Sequence, residues 1–98
     1  MRWFFLLNLM ANFLVYIIYS ESLDVYYKGY TNNLEIRLEE HLSGKSQFTS
    51  QTKDWCLVFT RSFELKSDAL KYEKMLKRQN HQYLKWLIDG DLNELNIQ

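Results

Sequence analysis

The sequence predicts one small domain of the α/β (α+β) class, and three observations point there. Two runs rich in β-branched and aromatic residues, Phe13–Tyr19 and Val25–Thr31, flank the polar turn Ser20-Glu21-Ser22-Leu23-Asp24, a hairpin pattern. A third such run, Trp55–Phe63, follows later. Elsewhere the apolar residues switch to helical spacing: Leu34, Leu38 and Leu42, then Ala69, Tyr72 and Leu76, then Tyr83, Leu84, Leu87 and Ile88. A chain of 98 residues can fill one modest core and not two.

Composition narrows the class. Apolar residues at 47% against 24% charged describe a globular chain, not a disordered one. The lone cysteine, Cys56, excludes an internal disulfide framework and argues for a reducing, cytoplasmic setting. Two histidines and one cysteine are too few for a structural zinc site. Formal net charge is zero, but the charge is unevenly spread. From Lys71 to Lys85 five basic residues face one acid, Glu73, and the 43–53 loop carries Lys45 and Lys53 with no acid. Such a patch is either a solvated helix face or a footprint for phosphates.

Taken in order, the N-terminal run 3–19 is almost wholly apolar, broken by Asn8 and Asn12. It is at or below bilayer-spanning length, and its second half is needed as the first strand, so membrane tethering is the weaker reading. Residues 1–12 read as an apolar extension, with Met10 as an alternative start, residues 13–90 as the domain, and 91–98 as a frayed C-terminal tail. Five of the seven tyrosines (Tyr16, Tyr19, Tyr26, Tyr27, Tyr30) lie in the hairpin. Alternation puts Tyr16 on a face with Ile18, and Tyr27 on a face with Gly29.

A helix over Leu34–Leu42 is expected, with Asn32 as its cap and Glu35 reaching back. Arg37 and His41 then meet at one edge of its leucine stripe, and Gly44 stops it. The following loop is polar, with Phe48 as its anchor, and Cys56 reads as a small core residue of the next strand. Ser67 or Asp68 caps a second helix reaching about Gln79. Glu73 falls near its packed side, where it is either paired with Lys77 at i, i+4 or aimed into a site to hold a divalent cation. Asn80 lies near the same edge, and a last helix spans His81–Ile88.

These residues carry a resemblance. Val15-Tyr16-Ile17, then Tyr27-Lys28-Gly29, then Arg37 and His41 resemble the ordered motifs of the GIY-YIG nuclease superfamily. Thr31-Asn32-Asn33-Leu34, Ser43-Gly44, Trp55 with Leu57-Val58-Phe59, and Ala69-Leu70 before Glu73-Lys74 resemble its small single-domain bacterial branch, over residues 13–88. The resemblance implies a three-stranded antiparallel sheet flanked by about three helices. It also implies a metal-dependent endonuclease acting on DNA, in repair or recombination. By position it makes Tyr16, Tyr27, Arg37 and His41 catalytic, Glu73 the ligand of one divalent metal ion (Mg²⁺, or Mn²⁺), and Gly29 the motif glycine. Asn80 is a candidate helper. Lys45, Lys53, Lys74, Lys77 and Arg78 are candidate DNA contacts, and a protein partner could supply specificity. No small-molecule cofactor is expected.

Two departures stand out. The first motif reads Leu-Val-Tyr, and Lys28 replaces an aliphatic residue in the second; opposite in direction to Tyr27, Lys28 is expected at the surface. The alternative function on the same fold is a catalytically silent module that binds nucleic acid or a protein partner.

Overall fold

The structure, a computed structural model, describes residues 13–96; the extension expected over 1–12 and its alternative start lie outside the described residues. Strand β1 (Phe13–Ser20) pairs antiparallel with β2 (Val25–Thr31) on one side and with β3 (Cys56–Phe63) on the other, giving the order β2-β1-β3. Three helices follow the hairpin and the third strand: α1 (Leu34–Leu42), α2 (Lys66–Leu76) and α3 (His81–Ile88). Short 3₁₀ turns occupy Thr49–Gln51 and Glu94–Asn96. This is the three-stranded, three-helix α+β fold expected.

The central position of β1 explains its sequence. Leu14, Val15, Tyr16, Ile17 and Ile18 are each at most 1% exposed. Val15 and Ile17 pack with Phe59 against Ala69 and Leu76 of α2 and Leu84 and Leu87 of α3. Leu14, Tyr16 and Ile18 face the other way, toward Leu34 of α1 and Trp55. A strand covered on both faces must be apolar at successive positions rather than alternate ones. Each such side chain contributes roughly 1.5–3 kcal/mol of burial. The apolar run that resembles an anchor is therefore, from Phe13 on, a core strand. No helix among the described residues is long and apolar enough to cross a membrane.

Several local expectations are corrected. The cap of α1 is Asn33, whose side chain accepts from Ile36 N at 3.2 Å; Thr31 Oγ1 accepts from Asn33 N, which moves the helix start one residue past Asn32. Helix α2 starts at Lys66 without a side-chain cap, leaving Ser67 and Asp68 inside its first turn, and it stops at Leu76 rather than near Gln79. Cys56 is exposed at the start of β3, not a core residue. The buried residue of the loop after α1 is Thr49, at 0% exposure, whereas Phe48 is 48% exposed.

Within the segment read as a frayed tail, Asn93 and Glu94 are docked on β3. Asn93, 1% exposed, accepts from Thr60 N at 3.2 Å and donates to the Val58 and Ile88 carbonyls at 2.8 Å. Glu94 accepts from both the backbone N–H and the hydroxyl of Ser62 at 2.7 and 2.8 Å. Strand β3 lies at a sheet edge, and its pairing with β1 slips between Ile17 and Ile18. Unpaired backbone groups at such an edge need partners, and these two side chains supply them.

One further tie positions the loop. Asp54 accepts from Ser20 Oγ at 2.6 Å, Ser22 N at 2.9 Å and Thr52 Oγ1 at 2.8 Å, bonds that hold its carboxyl well below the ordinary carboxylate range. The end of the loop is thereby fastened to the hairpin turn.

A candidate active site over Tyr16

The site begins with Gly29. Tyr16 and Gly29 are paired across β1 and β2, and the Tyr16 ring lies over the glycine. A Cβ at position 29 would sit 2.5 Å from both Tyr16 Cζ and Oη. Real Cβ atoms do not approach that closely, so the ring needs glycine beneath it. Tyr16 is fully buried, and its hydroxyl lies 2.7 Å from His41 Nε2. His41, on the last turn of α1, is also fully buried, and its Nδ1 lies 2.7 Å from Thr49 Oγ1. Thr49 in turn accepts at its carbonyl from Trp55 Nε1 at 2.8 Å. The chain Tyr16–His41–Thr49 thus runs from the central strand through α1 into the loop, leaving no buried polar atom along it unpaired.

Tyr27 completes the face. Its ring stands edge-on to His41 at 4.9 Å and lies 6.4 Å from the Tyr16 ring. Arg37, one turn before His41 on α1, is partly buried and pairs with Glu40 at 3.0 Å. Burial works against the Arg37 charge, but Glu40, Tyr16 and Tyr27 outweigh it and raise its pKa further. Burial pushes Tyr16 up to about 12, partly offset by Arg37. His41 is pushed down to about 4, first by burial and then by the Arg37 charge. At neutral pH the face therefore presents the neutral Tyr16 phenol, a neutral imidazole and a fixed guanidinium beside the Tyr27 ring. An arginine fork over apolar walls suits a phosphate.

Of the expected set, Tyr16, Tyr27, Arg37, His41 and Gly29 are brought together. Glu73 is not in direct contact with them among the described residues. It sits on α2, with its side chain 18% exposed and 3.6 Å from Lys77 Nζ. Its charge is nevertheless felt at Tyr16, where it opposes ionisation. Asn80 caps α3, accepting from Tyr83 N at 2.9 Å, which is a structural employment. Lys45, Lys53, Lys74, Lys77 and Arg78 are all exposed. Lys28 is not a plain surface residue. It is half-buried, donates to the Tyr26 carbonyl at 3.3 Å, and has its pKa lowered by burial and then by Lys77. Sequence reasoning missed Thr49, because a threonine in a polar loop carries no signal until the histidine above it is known to be buried.

The buried imidazole makes stability depend on pH. In the unfolded chain His41 takes a proton near its ordinary pKa of about 6.5, while in the folded chain it resists until about 4. The unfolded state therefore binds more protons between those values, and stability falls as pH drops through that window. Chemical denaturation at pH 7.5 and at pH 4.5 should differ by on the order of 3 kcal/mol from this group. In His41→Gln that part of the difference disappears. An unchanged pH dependence in His41→Gln would show that the imidazole is not the group responsible.

Comparison with known proteins agrees with this layout. A family model described as the GIY-YIG catalytic domain matches residues 12–85. The chain is 34% identical over 74 residues to a UPF0213 protein of Staphylococcus haemolyticus, covering 74% of this chain and 89% of that one. It is 36% identical over 67 residues to a UPF0213 protein of Enterococcus faecalis, covering 61% and 76%. The solution NMR structure of a UPF0213 protein from Bacillus halodurans superposes with a TM-score of 0.54 at 26% identity, covering 85% of this chain and 88% of that one.

Proposed function

The chain belongs to the GIY-YIG family as a small single-domain member, and from that premise we propose that it is a metal-dependent endonuclease hydrolysing DNA phosphodiester bonds. The family implies nuclease-type chemistry on nucleic acid; DNA as substrate, metal dependence and a role in repair or recombination are our reading. The observation that carries it is the guanidinium of Arg37 fixed beside two phenols and a neutral histidine on one face.

In this reading Arg37 binds the scissile phosphate through its fork and stabilises the charge that grows on the equatorial oxygens. The two phenols divide the work by exposure. Tyr16 is enclosed and bonded to His41, so it is a positioning residue that, with Thr49, holds the face rigid. Tyr27 is only half-buried and reaches solvent, so in this reading it orients the attacking water. No group of three or more potential ligands occurs among the described residues, which excludes a zinc-type cage there. Glu73, a partly exposed carboxylate, is the residue that would hold magnesium or manganese, ions that take oxygen ligands. When bound, such an ion supplies charge neutralisation at the leaving oxygen. The exposed Lys45, Lys53, Lys74, Lys77 and Arg78 serve as contacts to flanking phosphates in this reading.

The test is cleavage of duplex, single-stranded and branched DNA with Mg²⁺ and with EDTA, beside Glu73→Ala. Cleavage should need the metal and fall at least about 100-fold in the variant, the scale of several kcal/mol that a metal supplies. Metal-dependent cleavage that persists in Glu73→Ala would place the metal elsewhere. Salt-sensitive binding without cleavage would favour the silent binding module, in which Glu73 merely pairs with Lys77.

A further inference from the structure

Beside the site lies a recess of about 520 Å³, open to solvent and lined by Tyr27, Ser46, Gln47, Phe48 and Gln51. Its floor is aromatic: the Phe48 ring lies 5.6 Å from that of Tyr27, tilted by 32°. The rings step outward from His41 to Tyr27 to Phe48, so the recess continues the candidate active face. Phe48 is 48% exposed, and its position is enforced rather than loose. The next residue, Thr49, is buried and bonded to His41, while Ser50 donates from its N–H to the Ser46 carbonyl at 2.9 Å and from its hydroxyl to the Gln47 carbonyl at 2.7 Å. A turn so fastened holds one aromatic ring out to water, flanked by the side-chain amides of Gln47 and Gln51.

We propose that this recess is the seat of an unpaired nucleobase adjoining the phosphate that Arg37 binds, which makes the preferred substrate a strand with an unstacked nucleotide at the cut. An exposed ring next to a phosphate-binding arginine is the pairing that single-strand binding uses, since every base has a π-face to lay on it. The amides and the Ser46 hydroxyl offer donors and acceptors to the base edge. Bases within a duplex show only their edges, their faces being covered by neighbours, so an intact duplex cannot use the seat. Single-stranded ends, flaps and branch points can. The inference rests on the nuclease reading for the position of the phosphate.

The experiment separates the two. In EDTA, so that nothing is cut, binding of a fluorescently labelled 12-nucleotide single strand and of its duplex is measured by anisotropy for the full chain, Phe48→Ala and Phe48→Trp, with thermal melts of each. Phe48→Ala should weaken single-strand binding by roughly 5- to 150-fold, the range of base–aromatic stacking, and leave duplex binding and the melt unchanged. Phe48→Trp should bind the single strand at least as well as the original. A 2-aminopurine in the strand should lose fluorescence on binding and keep it with Phe48→Ala. Equal loss on single strand and duplex, no loss on either, or no single-strand binding by the full chain would overturn the seat. Selective loss on the single strand together with absence of cleavage under Mg²⁺ would leave the seat standing and remove the nuclease reading.

Discussion

Arg37→Ala should lower single-turnover DNA cleavage by about 10²–10³-fold, the effect of removing a transition-state donor worth about 3–4 kcal/mol. The size follows from how the residue is held. Its charge is partly buried between two phenols and Glu40, so water cannot take over its role in the variant. Stability should change little, because a partly exposed i, i+3 pair such as Arg37–Glu40 is worth at most about 1 kcal/mol. Arg37→Lys should recover only part of the rate, since an ammonium lacks the two-pronged fork. Removing the guanidinium also removes the second cause of the low His41 pKa, so an NMR titration of the imidazole should move upward in Arg37→Ala. A rate within tenfold of the original would show that this arginine does not bind the scissile phosphate.

Gly29→Ala should damage both fold and activity. One methyl group placed 2.5 Å from the Tyr16 ring must push that ring aside, and the ring is enclosed on every side. Overpacking of this kind costs about 1–3 kcal/mol, or very roughly 5–20 °C in melting temperature for a domain this small. The displaced hydroxyl leaves His41, and a shift near 1 Å at a reaction site can cost about 100-fold in rate. A Tyr16→Leu background checks the cause. With the ring gone, the added methyl should cost far less, so the two substitutions are strongly non-additive in a melting cycle. Additive losses would mean that the glycine is needed for some reason other than the phenol above it.

Much of this was legible in the sequence. The two strand runs of the hairpin, Leu34–Leu42 and His81–Ile88 are where local pattern and tertiary packing agree, and the strand bounds match within a residue. Spacing put Arg37 beside His41 and Tyr27 on a face with Gly29, but it was the family resemblance that joined Tyr16, Tyr27, Arg37 and His41 into one set. What could not be read depended on contacts between distant segments. Cys56 looks like a core residue in a run of apolar neighbours, yet it begins an edge strand and faces out. Thr49 looks like loop and Phe48 like an anchor, but the histidine bond pulls the threonine in and turns the phenylalanine out. Asn93 and Glu94 look like the start of a polar tail, and their role exists only where β3 presents unpaired backbone to them. Lys28 is half-buried, and the Lys77 charge at the end of α2 acts on it, which no strand period foretells.

The docking of Asn93 and Glu94 on β3 sets a clock for synthesis. The groups they cover belong to residues 58, 60 and 62, more than 30 positions earlier in the chain. At about 5–20 residues added per second, the edge of β3 precedes its cover by about 2–7 s of synthesis. During that interval the hairpin and β3 can already form a sheet, with one bare edge open to any neighbouring nascent strand. Isolated hairpin formation takes only microseconds, so the sheet waits for its seal rather than the reverse. Asn93 and Glu94 therefore act less as part of the domain's scaffold than as its closing step.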